Sequence, residues 1–309
     1  MVNENFTKNK CISFSFKDRH CKLLGGESFV NSPENLFQDT SNDRLSTIIE
    51  KLHNSSPWLK VVSQEFEEEN PWLHKIITSP LRKKFFDDFI KPHNLLVLDI
   101  GAGWGQISIP LAKSNRVCAL EPNPNRLNFI NLCSQQESVN SNISFVGADY
   151  LDIKFQTKFD LIISIGVLEW IGVFNREKSP QELQKLFLSK INSNLSQNGR
   201  LVIGIENRVG LKYLMGANDD HIGKPYISCY RSEISKKKYF EATNRELRCF
   251  TYTISEYKDL LLHSGFSSFE FYVALPDYKL PSQIFPISQD FINCDFNRFL
   301  MKNVLFEFC

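Results

Sequence analysis

The chain reads as an α/β fold, a Rossmann-like, mostly parallel sheet with helices on both faces, and three observations predict it. The apolar run Leu95–Leu98 leads into Asp99, then glycines at 101, 103 and 105, then Ile107, Leu111 and Ala112 at helical spacing. A second apolar run, Val117–Leu120, ends in Glu121, twenty residues after Gly101. Further runs at Ile143–Val146, Phe159–Ser164 and Leu201–Ile205 alternate with helical patterns, as βαβ units require.

Strand, glycine turn and helix together open a nucleotide-binding unit. The glycines allow positive φ and close backbone approach to a ligand. A carboxylate at Glu121 can accept from both hydroxyls of a ribose, so the expected ligand is a nucleoside derivative. A dinucleotide would call for G-x-G-x-x-G, but the third glycine falls one place early, at Gly105, and Gln106 fills its position. Asp99 puts negative charge beside the turn, unfavourable for a pyrophosphate and favourable for a cation. S-adenosylmethionine carries a sulfonium and an ammonium and no phosphate. A nicotinamide dinucleotide is the competing ligand.

The block Val97–Gly105 resembles motif I of the class I S-adenosylmethionine-dependent methyltransferases, and Glu121 resembles their ribose-binding acid. The resemblance implies a seven-stranded sheet with an antiparallel C-terminal strand. It implies S-adenosylmethionine as cofactor and S-adenosylhomocysteine as product. Cofactor contacts are then expected at Asp99, Gly101, Ala102, Gly103, Gly105 and Glu121, at Asp149 with Tyr150 after the third strand, and at Gly166 after the fourth. Asp149 matches the acid that receives the adenine amino group in that family; an ordinary turn aspartate is the alternative.

Composition narrows the rest. The 309 residues carry a net charge of +1, which favours neither nucleic acid nor an anionic membrane as partner. The opening MVNENFTKNK lacks the apolar core of a signal peptide, and the apolar run from Leu161 to Phe174 is interrupted by Glu169 and too short to span a bilayer. Eight cysteines show neither C-x-x-C nor zinc spacing, so they read as reduced thiols of a cytoplasmic protein.

Residues 1–75 read as an N-terminal extension or cap, a lid over the cofactor being one reading, and 76–309 as the methyltransferase domain. Ile12–Phe16 alternates like an edge strand; Leu45, Ile48, Ile49 and Leu52 have helical spacing; Glu67–Glu69 reads as a solvated face, and Trp58 and Trp72 as core or cap residues. Ser79-Pro80 opens a helix with Leu81, Phe85 and Phe89 on one face, and Asn123-Pro124 opens another, ending near Gln136. Ser179-Pro180-Gln181-Glu182 is a capping box before Leu183, Leu186, Phe187, Ile191 and Leu195, and Thr253–Glu256 is a second one. Asn198-Gly199 marks a turn, Phe266–Val273 a sixth strand and Asn303–Phe308 the last.

The segment Ile165–Trp170, after the fourth strand, should line the transfer pocket. It has neither the Asn/Asp-Pro-Pro-aromatic segment of base-amine methyltransferases nor the Pro-Cys of cytosine C5 enzymes. The polar, glycine-rich stretch at about 207–250 reads as an insertion that walls the acceptor, with Lys212, Tyr213 and Tyr226 as wall residues. Asn207–Tyr213, Gly216-Ala217 and Asp220-His221, with Leu275–Pro281 further on, resemble a group of bacterial methyltransferase domains associated with surface-polysaccharide synthesis. That resemblance implies a sugar or glycan acceptor and glycosyltransferases of the same pathway as partners; the alternatives are a methyltransferase acting on another small molecule or a protein, and an S-adenosylmethionine-binding protein without catalysis. For a hydroxyl acceptor a base is needed. His221, oriented by Asp219 or Asp220, is the first candidate, with neutral imidazole available near pH 7; Glu169 and Asn207 are its rivals. Asp219, Asp220 and His221 are adjacent and lack a spaced partner, so no metal is expected.

Overall fold

Residues 11–33 and 39–287 are described by the computed structural model. They divide into two units. One comprises the residues up to Ser164 with Asn194–Val202, and the other Ile165–Ser193 with the residues from Ile203 onward.

The first unit opens with a hairpin of β1 (Ile12–Phe16) and β2 (Arg19–Leu23), followed by β3 (Ser28–Val30). Ile12, Phe14 and Phe16 are buried while Ser13 and Ser15 are half-buried, the period-two pattern of a strand with one face on a core. Three helices follow: α1 (Asn42–His53), α2 (Trp58–Phe66) and α3 (Pro71–Thr78). Leu45, Ile48, Ile49 and Leu52 are the buried stripe of α1, as their spacing predicts. Glu67, Glu68 and Glu69 are exposed, Trp58 opens α2, and Trp72 is 49% exposed rather than core.

The Ser79-Pro80 start is observed, but not the helix face expected after it. Pro80–Lys83 is a 3-10 turn and Phe86–Ile90 a π turn. The change of pitch buries Phe86 and Arg82 and leaves Leu81 at the surface, with Phe85 and Phe89 stacked on each other.

β4 (Leu96–Ile100) leads through the glycine turn to the single-turn α4 (Ser108–Leu111) and β5 (Arg116–Leu120). α5 (Pro124–Gln136) is capped by the Asn123 side chain, which accepts from Asn125 and Arg126 N, with Pro124 at its first position. β6 (Ile143–Gly147), β7 (Ile153–Phe155) and β8 (Phe159–Ile165) follow, then α6 (Pro180–Asn194) and β9 (Leu195–Gly204). The Ser179–Glu182 capping box is formed on α6. Leu183, Phe187 and Ile191 are buried; Leu186 is 46% exposed, and Leu195 has already left the helix. Asn198-Gly199, expected as a turn, lies inside β9.

The central sheet has six strands in the order β3-β6-β5-β4-β8-β9. β3/β6, β6/β5, β5/β4 and β4/β8 are parallel. The order reverses at β4, whose residues are buried throughout, so the switch point lies where its glycine turn begins. β1 is not an edge. It sits in the middle of a separate antiparallel sheet, β2-β1-β7. β3 places part of the N-terminal stretch in the central sheet itself.

In the second unit, α7 (Leu211–Leu214) and α8 (Ser232–Thr243) belong to the predicted insertion. α9 (Ile254–His263) is opened by the Thr253 capping box and closed at Gly265, where φ is +92°. Six strands of the central sheet lie among the described residues. The sixth strand shortens to β10 (Tyr272–Leu275), which pairs antiparallel with β11 (Gln283–Pro286) in a two-stranded sheet of its own. The predicted last strand, 303–308, lies outside the described residues.

Burial has a measurable consequence in β4. Asp99 is 3% exposed, and burial raises its pKa from 3.8 to about 6, Ser108 partly offsetting the effect. A carboxyl whose folded pKa is raised binds protons more readily folded than unfolded, so stability falls as pH rises between about 4 and 6. Asp99→Asn is therefore expected to stabilise the ligand-free chain by about 3 kcal/mol at pH 7.5 and by little near pH 4. Urea melts at the two pH values read this directly, and an equal loss at both would contradict it.

Candidate active site

The first unit builds a cradle at the end of β4. Gly101 N and Ala102 N both donate to Leu120 O, at 2.8 and 3.0 Å, tying the turn to the end of β5. Gly101, Gly103 and Gly105 have φ of +72°, +58° and +76°, a region that favours glycine. The three glycines do different work. A Cβ on Gly105 would meet Ile109 and Ile130 at 3.0 Å, so this glycine lets the turn pack closely on the helices behind it. A Cβ on Gly103 would meet the Gln106 side chain at 3.5 and 3.6 Å and Gly101 O at 3.8 Å, ordinary contact distances, so here the positive φ rather than crowding favours glycine.

Glu121 sits beneath that turn, 4% exposed. Its Oε2 accepts from Gly103 N and its Oε1 from Asn123 N, both at 2.9 Å. Burial raises its pKa, while Arg126 and the two backbone donors oppose the rise. Each carboxylate oxygen has a second lone pair, so both can still take a ribose hydroxyl. A glycine turn of positive φ beside a buried carboxylate fits the nucleoside end of S-adenosylmethionine. Asp99 Oδ2 accepts from Ser108 Oγ at 2.6 Å.

Other residues of the turn are held from outside it. Trp104 Nε1 donates to Asp39 Oδ2 at 3.1 Å, and Arg126 donates to Asp39 Oδ1 at 2.5 Å. Asp39 thus fastens the N-terminal stretch to the cofactor turn, a link sequence reasoning missed because nothing near Asp39 is periodic. Ala102 is buried at 2% exposure. Asp149 is exposed and its Oδ1 accepts from Leu151 N, capping the short turn Tyr150–Asp152. Tyr150 is 3% exposed, donating to Asn194 Oδ1 and stacked near Phe155, so its ring serves the core.

The second unit gathers the other candidates. Gly166, with φ +70°, donates to Gly204 O, and a Cβ there would meet the Tyr278 hydroxyl at 3.3 Å. Glu169 and Glu206 are both 0% exposed. Gln184, also fully buried, donates to Leu168 O and Phe250 O, and Cys249 Sγ donates to Glu169 O, which fixes the turn carrying Glu169. Tyr257 donates to Glu206 O, and Arg208 clamps Glu256 and Cys229 O, which anchors the start of the insertion.

His221 Nε2 stands 3.0 Å from Glu206 Oε2 and 4.0 Å from Glu169 Oε1, with the imidazole edge-on to Trp170. The 3.0 Å approach is an ion-pair contact whose N–H is not aligned for a hydrogen bond. Lys279 Nζ and the Tyr278 hydroxyl donate to Glu206 Oε1 at 2.7 and 3.2 Å. Both oxygens of Glu169, Oε2 of Glu206 and both ring nitrogens of His221 have no hydrogen-bond partner. Burial, then the Glu206 charge, pushes Glu169 up to about 8. Glu206 stays well below the carboxylate range because His221 and Lys279 outweigh its burial.

Three expectations change here. Burial works against charge on His221, but Glu206, Glu169 and Asp219 outweigh it and raise its pKa, so neutral imidazole is not the form this setting favours. Neither aspartate orients the ring: Asp219 Oδ1 accepts from the backbone N of His221 and Ile222, and Asp220 pairs with Lys212. Tyr213, expected on the acceptor wall, is fully buried. Asn207 is 4% exposed, with Oδ1 accepting from Val209 N. Glu206 and Lys279 were missed. Glu206 follows the run Leu201–Ile205 as Glu121 follows Val117–Leu120, and that parallel was the available signal. Lys279 lies inside Leu275–Pro281, a stretch marked by its resemblance but not read for site residues.

Residues 97–187 match the family model for a methyltransferase domain. Ubiquinone biosynthesis O-methyltransferase of Rickettsia akari is 24% identical over 151 residues, 47% of this chain and 55% of the relative. The chain thus spans about half the length of that curated relative. An O-methyltransferase candidate from Nostoc punctiforme superposes with a TM-score of 0.44 at 14% identity, over 76% of this chain and 66% of that one. A SAM-dependent methyltransferase from Thermotoga maritima superposes at 0.43 with 14% identity, over 74% and 92%. The motif, the glycine-turn cradle and the parallel sheet agree with that match: residues 97–187 carry the features of a methyltransferase domain, whose cofactor is S-adenosylmethionine.

Proposed function

We propose that the chain transfers the methyl group of S-adenosylmethionine to a hydroxyl of a small polyhydroxylated acceptor, a sugar or glycan precursor. The observation that carries this reading is the set of buried carboxylate oxygens without donors, two on Glu169 and one on Glu206. Buried acceptors without partners are costly, and an acceptor rich in hydroxyls supplies the missing donors. The likeness of Asn207–Tyr213 and Leu275–Pro281 to domains of surface-polysaccharide synthesis supports the same class. From the same likeness we infer a reaction in the cytoplasm, alongside glycosyltransferases. Among the described residues no helix is long and apolar enough to cross a membrane.

The cofactor supplies a sulfonium methyl, transferred to oxygen to leave S-adenosylhomocysteine. Glu121 holds the ribose hydroxyls on its second lone pairs, Gly101 and Gly103 bring backbone close, and the charge of Asp99 favours a cationic ligand. Gly105 and Ala102 shape the turn, and Asp149 completes the proposed set. Glu169 accepts the hydrogen bond of the acceptor hydroxyl and receives its proton as the O–CH3 bond forms. His221 and Lys279 balance the negative charge of Glu206, and Asn207 holds the backbone turn beside it. Alignment supplies much of the remaining rate.

Two outcomes follow. S-adenosylhomocysteine at a hundredfold its Kd should stabilise the chain by about 2.7 kcal/mol, several degrees in a thermal shift, and Gly103→Arg should abolish the shift by putting a bulky side chain on a turn residue whose φ is +58°. With labelled cofactor and a panel of monosaccharides, nucleotide sugars, phenols and amines, label should enter the sugars. Glu169→Gln should cut that transfer by about a hundredfold or more with the thermal shift intact. Label entering only phenols or amines would overturn the acceptor class.

A further inference from the structure

We propose that Glu169, Glu206 and His221 form a site for one divalent cation of the Mn2+ or Fe2+ type. Among the described residues, these three bring one ligand atom each within 4.8 Å of one another. They come from three separate stretches: the turn after β8, the end of β9 and the insertion. First-row ions bond nitrogen and oxygen at about 2.0–2.2 Å, which puts neighbouring ligands of a six-coordinate ion about 3 Å apart and opposite ones about 4 Å apart. The Glu206 Oε2–His221 Nε2 distance is 3.0 Å and the Glu169 Oε1–His221 Nε2 distance is 4.0 Å.

The second observation is independent of that spacing. Both oxygens of Glu169 are buried and without a hydrogen-bond partner, and Glu206 Oε2 meets His221 Nε2 in an ion-pair contact that a shared cation can replace, on side chains no more than 5% exposed. A buried acidic pair of this kind needs compensating charge. Lys279 provides it at Glu206 Oε1, the oxygen turned away from the cluster, and leaves Oε2 for a ligand. Trp170 fixes the plane of the imidazole. A small cavity lined by Arg208, Asp219, Cys249 and Thr251 reaches His221.

One imidazole with two carboxylates suits Mn2+, Fe2+ or Zn2+ better than Mg2+ or Ca2+, which prefer all-oxygen sites, or the soft ions that seek thiolates. The expectation of no metal considered Asp219 and Asp220 beside His221. Those aspartates point elsewhere, and Glu169 and Glu206 take their place through the fold. The role of the ion rests on the methyl-transfer reading. Bound through one oxygen of each carboxylate, it leaves the second oxygen of Glu169 for the acceptor hydroxyl. Its open positions can hold acceptor oxygens and make them better nucleophiles.

The test uses the full chain, stripped with a chelator and titrated with Mn2+, free ion being read by electron paramagnetic resonance. Mn2+ is the probe because it ignores the free cysteines. One Mn2+ per chain, displaced by Zn2+, is expected. Glu169→Gln and His221→Ala should each weaken binding at least tenfold while keeping the thermal shift with S-adenosylhomocysteine, which shows them folded. Glu233→Gln, an exposed carboxylate on α8, should bind as wild type. Binding that both cluster variants leave unchanged, or no Mn2+ bound at all, overturns the site. A chain that methylates sugars yet binds no Mn2+ loses only the metal site. One that binds Mn2+ through these residues yet methylates nothing keeps the site and loses the methyl-transfer reading.

Discussion

The carboxylate of Glu121 is the constraint on which the first unit depends. It is buried, and each oxygen is fastened to a backbone N–H, one in the glycine turn and one at the cap of α5. The same group therefore sets the shape of the turn after β4, the exit from β5 and the entry into α5. Burying a carboxylate is unfavourable unless donors surround it. Here the donors are main-chain groups whose positions the parallel pairing of β4 and β5 dictates. A side chain in that setting cannot drift, and its remaining lone pairs are presented in a fixed direction. That is the preorganisation that binding uncharged hydroxyl groups requires.

The second unit solves a harder problem with the same means. Two fully buried carboxylates and an imidazole lie together, and an outer layer holds them there. Gln184 spans two carbonyls, Tyr257 holds Glu206 O, and Arg208 joins the insertion to the cap of α9. Arg248 adds three carbonyl contacts, to Gly172, Asn175 and Lys178. These contacts do not neutralise the cluster; they keep it from relaxing toward solvent. Buried groups that remain without partners after so much fastening mark a place where a ligand completes the structure.

Legibility in the sequence followed physical range. Where the signal was local, reading succeeded: the glycine turn, the strand that ends in Glu121, the Asn123-Pro124 cap, and both capping boxes depend on neighbours a few residues apart. Where a long-range choice decided, it failed. Leu81, Phe85 and Phe89 share a face only if the helix keeps its pitch, and the 3-10 and π turns put Phe86 inside instead. Asn198-Gly199 has turn chemistry, yet pairing kept it in β9. Tyr213 looked like a polar wall residue and is core. At the site, Glu169 and His221 could be named one at a time. Their meeting with Glu206 and Lys279 depends on contacts between segments tens of residues apart, which no local pattern encodes.

The most direct test of the central claim is a calorimetric titration of S-adenosylhomocysteine, and separately NADH, into wild type and into a Glu121→Gln chain shown folded by circular dichroism. Gln replaces one acceptor oxygen with a donor that faces a backbone N–H, so the cradle and the ribose contact fail together. The account predicts tight S-adenosylhomocysteine binding to wild type, at least tenfold weaker binding to the variant, and none of NADH to either. Equal affinity for S-adenosylhomocysteine in the two chains, or binding of NADH instead, would contradict it.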